Sequence, residues 1–130
     1  DFEFVAAHRE RMSLVYCPRT HAYFGHDPYP LAGMLAAGAR VAVGTDSRAS
    51  NPDLSILSEL RHIARHHPNV SRDAILRMGT LNGAEALGSG EKLGSITPGK
   101  RAWLATVPLE QTSGEPHELL FTSSAPASLL

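Results

Sequence analysis

Cysteine is nearly missing from this chain: Cys17 is the only one in 130 residues, so no internal disulfide framework can staple the fold. That usage suits a reducing, cytoplasmic setting, and no Cys-x-x-Cys or local Cys/His metal motif is present either. An excess of one charge is also missing. Twelve basic residues against 13 acidic ones leave a formal charge of -1, which offers no broad electrostatic footprint for nucleic acid or an anionic membrane. No apolar run approaches the roughly 18 residues that span a bilayer, and no signal-peptide pattern precedes the first helix. Gly88-Ser89-Gly90 lacks the lysine and spacing of a phosphate-binding loop and reads as a turn. No internal repeat is visible. These absences leave a soluble protein whose expected partner is a small neutral or mixed-charge molecule, with no role for nucleic acid or membrane.

What is present follows an α/β rhythm. Phe2, Val5, Ala6 and Met12 line one side of an opening helix, and Leu14-Val15-Tyr16 follows as a short strand closed by Pro18. Leu31, Met34 and Leu35 predict a helix ending near Gly38, and Arg40 to Thr45 predict the next strand. Parallel strands need such a crossover, and its right-handed sense places Cys17 and Asp46 at one rim. Asn51 is expected to cap the next helix, with Pro52 and Asp53 in its first turn and an apolar stripe through Ile56, Leu57, Leu60, Ile63 and Ala64. That helix should stop before Pro68. Ser71 and Asp73 start another through Met78, and Thr80 caps a third. A boundary is expected near Gly90, after which Lys92 to Ile96, Pro98-Gly99 and Arg101 to Val107 read as strand, turn, strand. The tail from Gln111 is polar and turn-rich, and its last residues are expected to be disordered.

The run Val41-Ala42-Val43-Gly44-Thr45-Asp46-Ser47 reads as a strand covered on both faces that delivers one carboxylate to its C-terminal end. Catalytic groups of α/β barrels sit at such ends. A lone strand-end aspartate can also simply cap a turn or helix, and one carboxylate makes neither a metal site nor an acid/base pair. A whole eight-fold barrel takes about 250 residues. The short length, and a start at Asp1 inside an amphipathic segment without methionine, give the expectation that the chain was cut from something longer.

Four segments in order resemble the metal-dependent amidohydrolase superfamily, in particular its chlorohydrolase and cytosine-deaminase-like branch. Tyr16-Cys17-Pro18-Arg19-Thr20-His21 resembles the segment after the seventh barrel strand, and Val43-Gly44-Thr45-Asp46-Ser47 with Ser50-Asn51 resembles the one after the eighth. Thr80-Leu81-Asn82-Gly83-Ala84 follows, and Leu93-Gly94-Ser95-Ile96-Thr97-Pro98-Gly99-Lys100 is similar to the return into the family's small β-sandwich. The resemblance implies the C-terminal portion of a (β/α)8 TIM barrel, its last two strands and following helices, over residues 1–90, with part of a β-sandwich and a tail over 91–130. It implies that Asp46 ligates a divalent metal, zinc or iron, and carries a proton from metal-activated water to a leaving amine.

The parent activity so implied is hydrolysis of non-peptide C–N bonds, foremost deamination of a heterocycle by attack of metal-bound hydroxide. Chlorohydrolase-type dehalogenation is the close alternative, since Asp46 does not distinguish the leaving groups. The family's other metal ligands, on earlier strands, are not in this stretch, so the fragment alone is expected to be inactive and without its metal. His21 and Ser50 are the candidate substrate contacts. Thr20-His21 stands where the branch commonly has serine-asparagine, which leaves the substrate open, and His21 and His26 can equally hydrogen-bond loop carbonyls. Ser50 can equally form a turn. Cys17 is expected to be a buried, inert thiol. His62, His66 and His67 suit surface or capping roles, and His117 a solvated one. A different class of reading is a non-catalytic module that associates through exposed barrel edges, and oligomerisation through those edges is expected in either case.

Overall fold

The computed structural model describes residues 2–109 and 113–130. Helix α1 (Phe2–Ala7) precedes strand β1 (Leu14–Tyr16). Helices α2 (Pro18–Tyr23) and α3 (Leu31–Ala36) lead to β2 (Val41–Val43). Three helices follow: α4 (Ile56–His66), α5 (Arg72–Gly79) and α6 (Leu81–Ala86). Strand β3 (Ala105–Thr106), helix α7 (Pro116–Thr122) and strand β4 (Ser128–Leu129) complete the described chain.

β1 and β2 pair in parallel, Leu14 with Val41 and Tyr16 with Val43, so the crossover predicted from the alternating patterns is present. The core gathers Tyr16, Leu31, Val41, Val43, Ile63, Ile75 and Met78 beneath the helices. Burying each large aliphatic side chain contributes about 1.5–3 kcal/mol. The two faces of β1 differ: Leu14 and Tyr16 join that core, whereas Val15 is 61 % exposed. At the edge of β2, Asn82 Nδ2 donates to the Val41 carbonyl at 2.8 Å, so the Thr80–Ala84 segment satisfies a strand acceptor.

Several expectations change. Pro18 closes β1 and also opens α2 at its first turn, a helix the residue pattern did not announce; a fixed proline φ is pre-organised for that position. Asn51 does not cap α4. Its Oδ1 accepts from the Leu54 amide at 3.1 Å, but Leu54 turns to a φ of 55°, which breaks the helical path. Ser55 is the actual N-cap, its side chain accepting from the Ser58 amide at 3.2 Å. Ser71 caps α5 as expected, whereas Thr80 precedes α6 without a side-chain cap and donates its hydroxyl to the Leu76 carbonyl.

The strand expected over Lys92 to Ile96 is a series of turns. Lys100 Nζ donates to the carbonyls of Gly90 (2.5 Å) and Leu93 (3.3 Å), and Arg101 N donates to the Lys92 carbonyl at 2.9 Å. Acceptors that a ladder would use are thereby taken locally. From Arg101 to Val107 only Ala105–Thr106 is strand, antiparallel to Ser128–Leu129; these two-residue strands are what stands over 91–130 in place of longer sandwich strands. The tail is not structureless. Glu115 caps α7 by accepting from the His117 and Glu118 amides, Phe121 is buried, and Arg61 Nε and Nη1 donate to the carbonyls of Leu120 (3.1 Å) and Ala125 (2.9 Å). Gln111 and Thr112 lie outside the described residues. Among the described residues no helix is long and apolar enough to cross a membrane.

Candidate active site

The ladder between β1 and β2 runs one residue past the strands, with Gly44 N donating to the Tyr16 carbonyl at 3.0 Å. The loops that begin at Cys17 and Gly44 therefore leave one rim together. Space favours glycine at 44: a Cβ would stand 2.7 Å from Val15 Cγ1 and 3.2 Å from Cys17 Sγ, so those side chains would have to shift to admit one. Two residues on, Asp46 adopts a φ of 56°, a left-handed conformation that aspartate tolerates better than most residues. Its side chain is exposed at the rim.

Two hydroxyls hold that carboxylate. Ser50 Oγ donates to Asp46 Oδ2 at 3.3 Å, and Thr20 Oγ1 lies 3.0 Å from Ser50 Oγ. With the serine proton committed to the carboxylate, Thr20 donates to Ser50, in preference to its longer 3.4 Å contact with the Thr45 carbonyl. Both hydroxyl residues are buried, so Asp46 is steered from inside the protein while its carboxylate faces outward.

Beside them lies a charged network. Glu59 is fully buried on α4. Its Oε1 accepts from Arg19 Nε (2.5 Å) and Asn51 Nδ2 (2.6 Å), and its Oε2 from the Arg19 amide (2.9 Å). Arg19 Nη2 also donates to Asn51 Oδ1 at 2.8 Å, and the guanidinium forms an ion pair with Asp53. Hydrogen bonds to Asp53 and Glu59 raise the Arg19 pKa above its ordinary value, against desolvation, and the Arg19 hydrogen bond lowers the Asp53 carboxyl to about 2.

Cys17 is half-buried, and burial together with the nearby Asp46 charge pushes its thiol pKa up, which disfavours a nucleophilic thiolate. His21 does not appear among the partners of Asp46. Its ring packs against Tyr16 (5.8 Å), Tyr29 (5.6 Å) and His26 (5.2 Å). Tyr16 stacks on Tyr29 at 3.9 Å, and its hydroxyl meets His67 Nε2 at 3.3 Å. Burial raises the Tyr16 phenol to about 12 and lowers the His67 pKa, the latter aided by the charges of His66 and His21. His67 thus caps the C-terminus of α4, within the surface or capping role expected for it, and in addition meets the core Tyr16 hydroxyl. His62 and His66 stack on each other at 4.0 Å.

Of the three predicted site residues, the structure brings Ser50 to Asp46 and places His21 in the aromatic cluster. Ser50 is buried, and its hydroxyl donates to Asp46. Thr20, Arg19, Asn51 and Glu59 were missed as site residues. Glu59 left a signal: a carboxylate beside Leu60 and between Ile56 and Ile63, on the apolar stripe, is a charge that must find partners on burial. Among the described residues no three His, Cys, Asp or Glu side chains gather into a metal-holding group. Asp46 fits as one oxygen donor for a divalent ion, and these residues do not by themselves make the site.

A profile described as the amidohydrolase family matches residues 1–126. The chain is 33 % identical over 110 residues to a 5-methylthioadenosine/S-adenosylhomocysteine deaminase of Teredinibacter turnerae, covering 79 % of this chain and 25 % of that protein. It is 32 % identical over 113 residues to an S-triazine hydrolase of Gordonia rubripertincta, covering 81 % and 24 %. Among solved structures, a zinc-bound adenosine deaminase of Xanthomonas campestris superimposes with a TM-score of 0.80 at 32 % identity, covering 95 % of this chain and 30 % of that one. The chain thus spans about a quarter of the length of the curated relatives it matches.

Proposed function

The chain belongs to the amidohydrolase family, and from that premise we propose that it supplies the last two strand–helix units of a barrel hydrolase that removes an amino group from a heteroaromatic substrate. Asp46 is the group that carries this reading. It stands at a strand end, exposed at the rim and aimed by Ser50 and Thr20, as a residue that both holds an ion and moves a proton requires. A divalent ion, zinc or iron, bound with further ligands from elsewhere in the full-length protein, supplies activation of water by drawing its pKa towards about 7.

Asp46 then has two tasks. It would be one of the ligands that hold the ion, and as a base it would take a proton from the attacking water and return it to the departing amine. The Ser50 hydrogen bond fixes the carboxylate plane for both. Cys17, kept as a thiol, walls the rim without competing as a nucleophile. His21, in α2 just after the same rim, is the proposed substrate contact.

The likeness to deaminases of 5-methylthioadenosine, S-adenosylhomocysteine and adenosine supports an aminopurine nucleoside as substrate class. The likeness to an S-triazine hydrolase supports a triazine as the second substrate class, and chlorohydrolase-type dehalogenation is the alternative chemistry on it that Asp46 does not distinguish. The test incubates the full-length protein with aminopurine nucleosides and with amino- and chloro-triazines, reading ammonia and chloride release. Ammonia from the purines supports the first reading, chloride from the triazines the second, and neither product from any compound contradicts both.

A further inference from the structure

The rim is built from two adjacent residue pairs, Arg19-Thr20 in the first turn of α2 and Ser50-Asn51 on the loop after β2. Thr20 and Ser50 join to each other at 3.0 Å and lead to Asp46. Their chain neighbours Arg19 and Asn51 join at 2.8 Å and both lead to Glu59. The start of α2 and the loop after β2 are therefore cross-linked twice, once towards the Asp46 carboxylate and once towards a buried charge on α4. We propose that Glu59 is the positioning residue of this site: by holding Arg19 and Asn51 it fixes the Thr20–Ser50 pair that aims the Asp46 carboxylate. This rests on the role of Asp46 given above.

The chemistry favours a carboxylate in that place. Glu59 accepts three hydrogen bonds, two on Oε1 and one on Oε2, and an ionised carboxylate is an acceptor only. Glutamine keeps one oxygen but turns an amide NH2 towards a donor, so at least one of the three contacts is lost. Glu59 touches no residue of the Asp46 chain directly in these contacts; its influence passes through the backbone of two dipeptides. A merely structural carboxylate would stabilise α4 and leave the rim alone, and the two cases are separable.

The experiment uses the full-length protein with Glu59→Gln, Glu59→Asp and Asn51→Ala, read by amide hydrogen exchange and by steady-state ammonia release. In Glu59→Gln, exchange over residues 17–21 and 45–54 is expected to speed up by about tenfold or more, the size expected from losing a charge-assisted hydrogen bond, while α5 exchanges as before. The kcat is expected to fall at least about tenfold with KM within about twofold, and Glu59→Asp, which keeps both oxygens, to recover part of the loss. Glu59→Gln placed on Ser50→Ala should cost nothing further, because both act on one chain of contacts. Arg72→Ala, which breaks the remote Arg72–Glu118 pair, should lose stability and keep kcat. Unchanged rim exchange, equal acceleration in α5, or additive losses in the double variant would overturn the proposal. Asn51→Ala answers the same question should Glu59→Gln fail to fold. A wild type that releases no ammonia removes the deaminase reading, and the exchange result still decides whether Glu59 holds the rim.

Discussion

Asp46 combines a positive φ with an exposed carboxylate, and the residues beside it explain why the arrangement persists. A methyl group at Gly44 would push on the Val15 and Cys17 side chains. Gly44→Ala is therefore expected to cost about 1–3 kcal/mol, the usual range for overpacking, and to lower activity beyond the stability loss because it shifts the strand end that delivers Asp46; urea unfolding and ammonia release on one preparation check both effects. His67 gives a pH prediction. Its folded pKa is lowered by burial and by His66 and His21, so the folded state binds fewer protons than the unfolded chain. The associated stability is present above the unfolded value of about 6.5 and is lost as pH falls through it. His67→Gln should flatten that part of a melting-temperature profile between pH 7 and 5. Asp53, lowered to about 2 by Arg19, contributes in the same sense between about pH 4 and 2, weakened by solvent because its side chain is 49 % exposed.

At the scale of elements, β1, β2 and the longer helices were legible because their patterns coincide with burial: Tyr16, Val41, Val43, Leu60, Ile63, Ile75 and Met78 are all inside. Boundaries set by a single side chain were not. Asn51 and Ser55 are both good caps by type, and only the left-handed turn at Leu54 decides between them. Ser55→Ala should thus destabilise by about 1 kcal/mol, measurable as a shift in denaturant midpoint. The turns after Gly90 were read as strand because Lys92 to Ile96 lies between the Gly88/Gly90 break and the Pro98-Gly99 turn signal; the Lys100 ammonium that claims the local carbonyls is a tertiary event with no periodic signature. Gly94 fixes that segment against α6. At a φ of 87° its Cβ would lie 2.7 Å from Ala84 Cβ and 2.8 Å from Leu81 Cα, so Gly94→Ala is expected to free residues 91–101 to proteolysis while α4 and α5 stay protected. The helix α7 escaped notice because its polar flanks outweighed one buried anchor, Phe121.

For the molecule as a whole, the sequence carried the strand–helix–strand unit, the shared rim and Asp46 at its edge. It did not carry the support of that rim, because Arg19, Thr20, Ser50, Asn51 and Glu59 meet across sequence separations that no local pattern encodes. Val15, 61 % exposed on the bare side of β1, is a further whole-molecule matter. β1 and β2 form a two-stranded sheet, so each has an open edge that favours pairing with another chain, and the isolated 130-residue chain is expected to self-associate in light scattering, with Val15→Lys reducing it; a clean wild-type monomer would count against this. The central claim is that Asp46 carries the chemistry of a deaminating hydrolase, and ammonia release by the full-length protein carrying Asp46→Asn tests it most directly. A folded variant slowed by on the order of a thousandfold or more on the substrate the wild type deaminates is the predicted result. A variant with the wild-type melting temperature and wild-type turnover would contradict it.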